Sequence, residues 1–331
     1  MILFAGLTSF TPVISYAFED KRVRLPKRLK RGDLIGVIAP GSAASEEQIE
    51  KGISQIKSLG FKVKEGKFLR SRHGYLGAKD QGRLEDLHSM FADSSVQGIW
   101  CIRGGYGCGR LLPMIDYRLV KKNPKPLIGY SDITALHNAI FQKTGLICFH
   151  GPNAQPEMTD YTRSGFEGML MDGKRSIQAF EGESENDYQT LGYLHTGTAE
   201  GRLVGGNLSL LASMAGTEFK LDAKNKIVFL EDVGERPYRI DRMLTQLLQS
   251  SRLSEAAGII LGQFKNCEAK DLNTSLSLEA CLKDRLGGLG IPVQTGFSFG
   301  HVDDQCTLPV GARVRMNTSS GVIEVLEGVV G

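Results

Sequence analysis

The stretch Leu127-Ile128-Gly129-Tyr130-Ser131-Asp132-Ile133-Thr134 sets one serine at the joint between an apolar run and a helical pattern. Pro126 to Tyr130 reads as a buried strand, Asp132 to Lys143 as a helix closed by Gly145, and Leu146 to His150 as the next strand. Strands linked by helices are the unit from which parallel sheets are built. The same alternation extends upstream. Asp33 to Pro40 reads as a strand ending in a Gly/Ser loop, Ser45 with Glu46 and Glu47 starts a helix running to Gly60, and Phe61 to Phe68 is a second strand. Leu84, Leu87, Met90 and Phe91 recur at helical spacing within Ala78 to Phe91. Val96 to Ile102 is a third strand, entering the glycine-rich loop Gly104 to Gly109, with a short helix over Arg110 to Asp116 beyond it.

Downstream the pattern changes. Residues 153–198 are rich in Glu, Asp, Ser, Thr and Gly with weak periodicity, which suits a segment between domains. Helices are then predicted over Asn207 to Ala215, Arg236 to Gln249 and Leu276 to Leu286, with strands at Ile227 to Leu230 and Gly258 to Phe264. From Pro292 onward, short β-branched runs separated by glycines read as antiparallel strands. The expected architecture is α/β: a Rossmann-like parallel-sheet domain over 31–155 carrying Ser131, a linker over 156–198, and a mixed α/β domain with antiparallel strands over 199–331. A length of 331 residues agrees with two domains.

Composition narrows the function classes. The hydrophobic share of 41% and charged share of 23% are those of a globular protein, and no apolar run reaches the length of a membrane-spanning helix. A net charge of +3, from 40 basic and 37 acidic residues, gives no concentrated field for nucleic acid, so a small molecule or peptide is the expected substrate. Cys101, Cys108, Cys148, Cys267, Cys281 and Cys306 form no CxxC pair and no metal-ligand spacing; they read as buried free thiols, and no metal or cofactor is expected. Residues 2–10 are apolar and small residues stand at Ser15 and Ala17, a partial signal-peptide pattern without a basic start. Residues 1–30 are therefore set apart as an extension or possible signal segment.

A serine between strand and helix has the geometry of a nucleophile elbow, although Ile133 replaces the second glycine of GxSxG. The alternative is that Ser131 or Asp132 merely caps the helix. A serine hydroxyl needs a base and the base needs an acid. His301, in the loop Phe297-Ser298-Phe299-Gly300-His301, and His150, ending a strand beside that of Ser131, are rival bases. For the acid, Glu231 and Asp232 end an apolar strand where charge is costly unless used, and Asp132 is a third candidate. Gly105, in the loop Arg103 to Arg110, and Asp132 would offer backbone N–H groups to an oxyanion.

These segments together resemble the LD-carboxypeptidase, or murein tetrapeptide carboxypeptidase, family. The likeness runs in order through GDLIGVIAP (32–40), IRGGYGCGRLLPMIDY (102–117), LIGYSDITALHNAI (127–140), HGP (150–152), LVGGNLSLLASMAGT (203–217), FLEDVGERPYRIDRML (229–244), GIILGQF (258–264) and GFSFGH (296–301). The resemblance implies a Ser131, His301, Glu231 triad split between two domains. It also implies removal of the terminal D-alanine from a muropeptide tetrapeptide during cell-wall recycling, by a cytoplasmic homodimer. The first 26 or so residues lie outside the likeness; if residues 1–17 are a signal peptide, the protein is exported to the periplasm instead. Two other functions are carried forward: a hydrolase of the microcin C self-immunity type, which needs a surface to stack a base, and a non-catalytic protein binding anions through the glycine loop.

Overall fold

The computed structural model describes residues 23–154, 157–178 and 192–331, so the possible signal segment up to residue 17 lies outside the described residues. In the N-terminal half the strands are β1 (Leu34–Ile38), β2 (Lys62–Glu65), β3 (Gly98–Cys101), β4 (Leu127–Gly129) and β5 (Cys148–His150). The helices are α1 (Glu46–Ser58), α2 (Asp80–Ala92), α3 (Tyr117–Lys122) and α4 (Ile133–Thr144). The strands pair in parallel in the order β2-β1-β3-β4-β5, with β3 and β4 buried along their whole length. That order reverses between β1 and β3, the place where open α/β sheets bind ligands at the carboxyl ends of their strands. Ser45 starts α1 with a full capping box, its side chain accepting from Gln48 N–H while the Gln48 side chain answers Ser45 N–H. Where one short helix was expected over 110–116, two 3₁₀ turns stand instead, at Cys108–Arg110 and Leu112–Met114, before α3.

The stretch 156–198, expected as a linker, holds α5 (Asp160–Glu167), β6 (Ser176–Gln178) and β7 (Gly192–His195). Phe166 of α5 stacks on Trp100 of β3 with ring centroids 4.5 Å apart, fastening this segment to the first sheet. Its periodicity is weak because the elements are short: α5 buries only Thr162 and Phe166, and β6 buries only Ile177.

The second sheet has a parallel centre of β8 (Thr198–Asn207), β9 (Lys226–Val233), β10 (Gly258–Lys265) and β11 (Val293–Thr295). Helices α6 (Leu208–Ser213), α7 (Pro237–Ser250) and α8 (Leu278–Leu286) connect these strands. After them β12 (Leu308–Val310) leaves this sheet and pairs antiparallel with β5, Leu308 opposite His150. The chain then returns as β13 (Arg313–Asn317) and β14 (Val322–Val325), giving the order β6-β14-β13-β8-β9-β10-β11-β7. One strand of the stretch 199–331 thus completes the first sheet.

Two buried hydrogen bonds join the halves at α4. Thr134 Oγ1 accepts from Asn207 N–H at 3.0 Å, and Asn138 Nδ2 donates to the Gly205 carbonyl at 2.8 Å. Buried polar groups of this kind are costly unless paired, so they hold α4 in one register against β8. All six cysteines are unpaired and buried, and burial pushes their thiols up, Cys281 to about 11 and Cys267 to about 12. Among the described residues, no helix is long and apolar enough to cross a membrane.

Candidate active site

Ser131 sits between β4 and α4 with φ +65°, a left-handed conformation that costs a non-glycine residue energy and is kept where structure around it demands it. Asp132 is the N-cap of α4, but neither its side chain nor that of Ser131 makes a capping hydrogen bond. The Asp132 carboxylate is 1% exposed and turns away from α4 to accept the N–H of Cys108 at 2.8 Å, tying the elbow to the glycine-rich loop. Burial raises its pKa, and the hydrogen bond from Cys108 works against that rise.

The glycine-rich loop leans directly on the serine. A side chain at Gly104 would put its Cβ 2.8 Å from Ser131 Cβ, 2.9 Å from Asp132 N and 3.0 Å from Ser131 Oγ. Glycine is therefore required for the approach. The groups flanking Gly105 are occupied: Gly104 O accepts from Ser42 N–H at 3.0 Å, and Tyr106 N–H donates to Ser42 Oγ at 3.0 Å. Among the described residues, the N–H groups of Gly105 and Asp132 have no acceptor in the protein. Two free donors beside an exposed-side hydroxyl are the arrangement that can receive negative charge on an oxygen.

From the second sheet comes a carboxylate and imidazole pair. Glu231 lies within β9, is 0% exposed, and its Oε2 is 2.8 Å from His301 Nδ1. Asp232, one residue on, points to the opposite side of the sheet as strand geometry requires. There it accepts from Asn207 Nδ2 at 3.1 Å and from Ser209 N–H at 2.9 Å, serving the start of α6. Burial, then the Glu231 charge beside it, pushes Asp232 up to about 6. His301 is held by a loop clipped to β10, with Phe299 O accepting from Gln263 N–H at 3.0 Å. A Cβ at Gly300, where φ is +110°, would stand 2.8 Å from Glu231 Oε2, so glycine lets the loop lie flat on the carboxylate. Burial alone would lower the His301 pKa, but the hydrogen bond and charge of Glu231 outweigh it and the pKa is raised.

The two groups meet across Tyr130, the residue before Ser131, whose ring lies edge-on to His301 at 5.0 Å. No hydrogen bond joins Ser131 to His301 among the described residues. An imidazole oriented by a buried carboxylate can accept a proton from a neighbouring hydroxyl. His150, the rival base, is buried among Phe229 at 5.1 Å, Tyr130 at 6.1 Å and Phe299 at 6.1 Å. Neither of its ring nitrogens has a hydrogen-bond partner, and burial lowers its pKa well below the ordinary value. Aromatic rings flank it on three sides, and among the described residues no carboxylate pairs with it. A cavity of about 490 Å³ lies apart from these groups, lined by Phe141, Val204, Phe219 and Lys226 among others.

This strand-to-helix serine, with its open donors, defines a serine-hydrolase type of site on a doubly wound sheet. The chain belongs to the LD-carboxypeptidase family: the family's N-terminal domain profile matches residues 35–151 and its C-terminal domain profile residues 200–316. A probable murein peptide carboxypeptidase of Bacillus subtilis is 42% identical over 308 residues, covering 92% of this chain and 95% of the relative. The murein tetrapeptide carboxypeptidase of Pseudomonas aeruginosa is 36% identical, over 84% of this chain and 91% of its own. Among solved structures, muramoyltetrapeptide carboxypeptidase from Oxalobacter formigenes superposes with TM-score 0.77 at 31% identity, over 88% of this chain and 97% of that one. An MccF-like protein from Bacillus anthracis superposes with TM-score 0.82 at 29% identity, over 92% of this chain and 99% of that one. The protein is a serine-type carboxypeptidase of this family.

Proposed function

We propose that this enzyme removes the terminal D-alanine from murein tetrapeptides, cutting the bond from the L-centre of the diamino acid to D-alanine, in peptidoglycan recycling. The Glu231–His301 hydrogen bond at 2.8 Å, facing the Ser131 elbow, is the observation that supports it most. Ser131 Oγ attacks the carbonyl carbon while its proton passes to Nε2 of His301, and Glu231 holds Nδ1–H and stabilises the imidazolium. The oxyanion is received by the N–H groups of Gly105 and Asp132. Collapse breaks the C–N bond, His301 returns the proton to the departing nitrogen, and the acyl group stays on Ser131. Water then cleaves that ester with His301 again as base. In ligand-free enzymes such hydrogen bonds are often long and tighten when substrate binds, which agrees with the missing Ser131–His301 bond.

The test is release of D-alanine from purified tetrapeptide. Ser131→Ala and His301→Ala should each lower kcat by about 10⁶-fold, and the double variant little further, because such residues act as a unit. A Ser131→Ala variant with a tenth of wild-type turnover would sink the assignment. EDTA should leave activity unchanged. We place the enzyme in the cytoplasm as a homodimer; a native chain beginning at Phe18 would instead show processing and export.

One observation favours the microcin C type of reading as the alternative. Trp100 is buried, but Tyr75 and Tyr106 are 64% and 53% exposed with ring centroids 5.7 Å apart, on the glycine-loop side of the site, and offer a stacking surface. Faster turnover of a peptidyl nucleotide than of tetrapeptide would decide for it. A non-catalytic anion binder would leave Ser131 unlabelled by a fluorophosphonate.

A further inference from the structure

A carboxypeptidase has to recognise a free carboxylate one residue beyond the bond it cuts. Three arginines surround the glycine-rich loop, and two are already committed. Arg83 is 1% exposed and is held by Asp80 at 2.6 Å, by the Ala78 carbonyl at 3.2 Å and by the Pro40 carbonyl. Arg110 forms a two-pronged pair with Asp80, at 3.0 Å from Nε and 2.7 Å from Nη2. Arg103 differs from both. It is half-buried, Nη1 donates to the Ala43 carbonyl at 3.2 Å, and among the described residues no carboxylate pairs with it. A part-buried guanidinium without a counter-charge is costly, and its planar fork matches a carboxylate.

Its placement says which carboxylate. Arg103 directly precedes Gly104, whose Cα faces Ser131 Oγ. Its charge also reaches the Tyr130 hydroxyl, and the Tyr130 ring borders His301 at 5.0 Å. The departing nitrogen has to lie at His301 to receive its proton, and the carboxylate of the departing residue is two bonds from that nitrogen. We propose that Arg103 is the specificity-determining residue that binds the carboxylate of the departing amino acid, setting the scissile carbonyl over Ser131 and confining the enzyme to chain ends. This rests on the proposed roles of Ser131 and His301. Endopeptidase action fails because an amide at that position leaves the guanidinium unpaired.

The experiment compares a tetrapeptide ending in D-alanine with the same peptide ending in D-alanine amide, for wild type, Arg103→Ala and Arg103→Lys. Wild type should favour the free acid by about 100-fold in kcat/KM, the range for losing one partner of a hydrogen-bonded charge pair. Arg103→Ala should lower acid turnover by about that factor and leave the amide within about threefold, so that the acid-to-amide ratio falls to near one. Arg103→Lys should give an intermediate ratio, since charge remains and the fork is lost. Each ratio is taken on one preparation and is independent of the fraction folded, so the lysine variant decides if the alanine variant folds poorly. A ratio unchanged in both variants, or a wild type indifferent to amidation, overturns the anchor alone. A wild type releasing neither product overturns the proposed reaction, and the anchor with it.

Discussion

Glu231 and Asp232 are chemically alike in sequence, and strand geometry alone separates their work. The side chains of β9 alternate across the sheet, so Glu231 meets His301 while Asp232 braces Asn207 and Ser209. The His301 pair has a consequence for pH. Burial favours neutral imidazole and Glu231 favours the charged form; the second wins and the pKa stands above 6.5. Since the base works deprotonated, kcat/KM should rise with pH through that raised value. Glu231→Gln removes the charge that holds it up, so the acid limb should move to lower pH while kcat falls by about 10⁴-fold, less than for the serine variant. An acid limb that stays in place would show that another group titrates. Stability carries the opposite sign: the folded pKa is raised, so the pair's contribution is complete below the unfolded value near 6.5 and is lost as pH rises through the folded one.

At the scale of elements, the site is built where a strand ends and a loop is allowed to come unusually close. The loop after β3 reaches the elbow after β4 only because residue 104 has no side chain, and the Asp132 carboxylate then locks it through Cys108. Gly104→Ala should therefore lower kcat by about 10²- to 10³-fold, the worth of an oxyanion donor, since the methyl stands before both the hydroxyl and the Asp132 N–H. Thermal unfolding should also shift to lower temperature, because the methyl falls on the Asp132 backbone nitrogen and on Ser131 Cβ at a buried position. A Gly104→Ala enzyme with wild-type kcat would refute this placement of the loop. The elbow itself was legible in LIGYSDIT despite the missing second glycine, because strand, serine and helix are all local patterns. The positive φ of Ser131 and the turning of Asp132 toward Cys108 were not, since both depend on a loop that lies more than 20 residues upstream.

The whole molecule is two sheets that share their chain. β12 passes from the second half into the first sheet beside β5, and the segment carrying His301 runs between the two sheets on its way there. A fragment ending at residue 198 would lack that strand, leaving the β5 edge unpaired, and would lose the hydrogen bonds of Thr134 and Asn138 in α4 to β8. It should fail to show a cooperative thermal transition by circular dichroism, whereas the full chain should show one. A fragment that unfolds cooperatively would show that the residues up to 198 fold without β12. Sequence by itself determined what repeats locally: the alternation of strand and helix, the elbow at Ser131, the free thiols, and through its eight ordered segments the family. Residue patterns alone left open Glu231 against Asp232 and His301 against His150, between which only the family resemblance chose, and they passed over the strand at β8 and the structure within 156–198. Tertiary structure adds the pairings themselves, Glu231 with His301 and Asp232 with Asn207 and Ser209, because pairing across a sheet, the side on which a strand presents each carboxylate, and the partner of a buried imidazole all depend on residues brought together from distant parts of the chain.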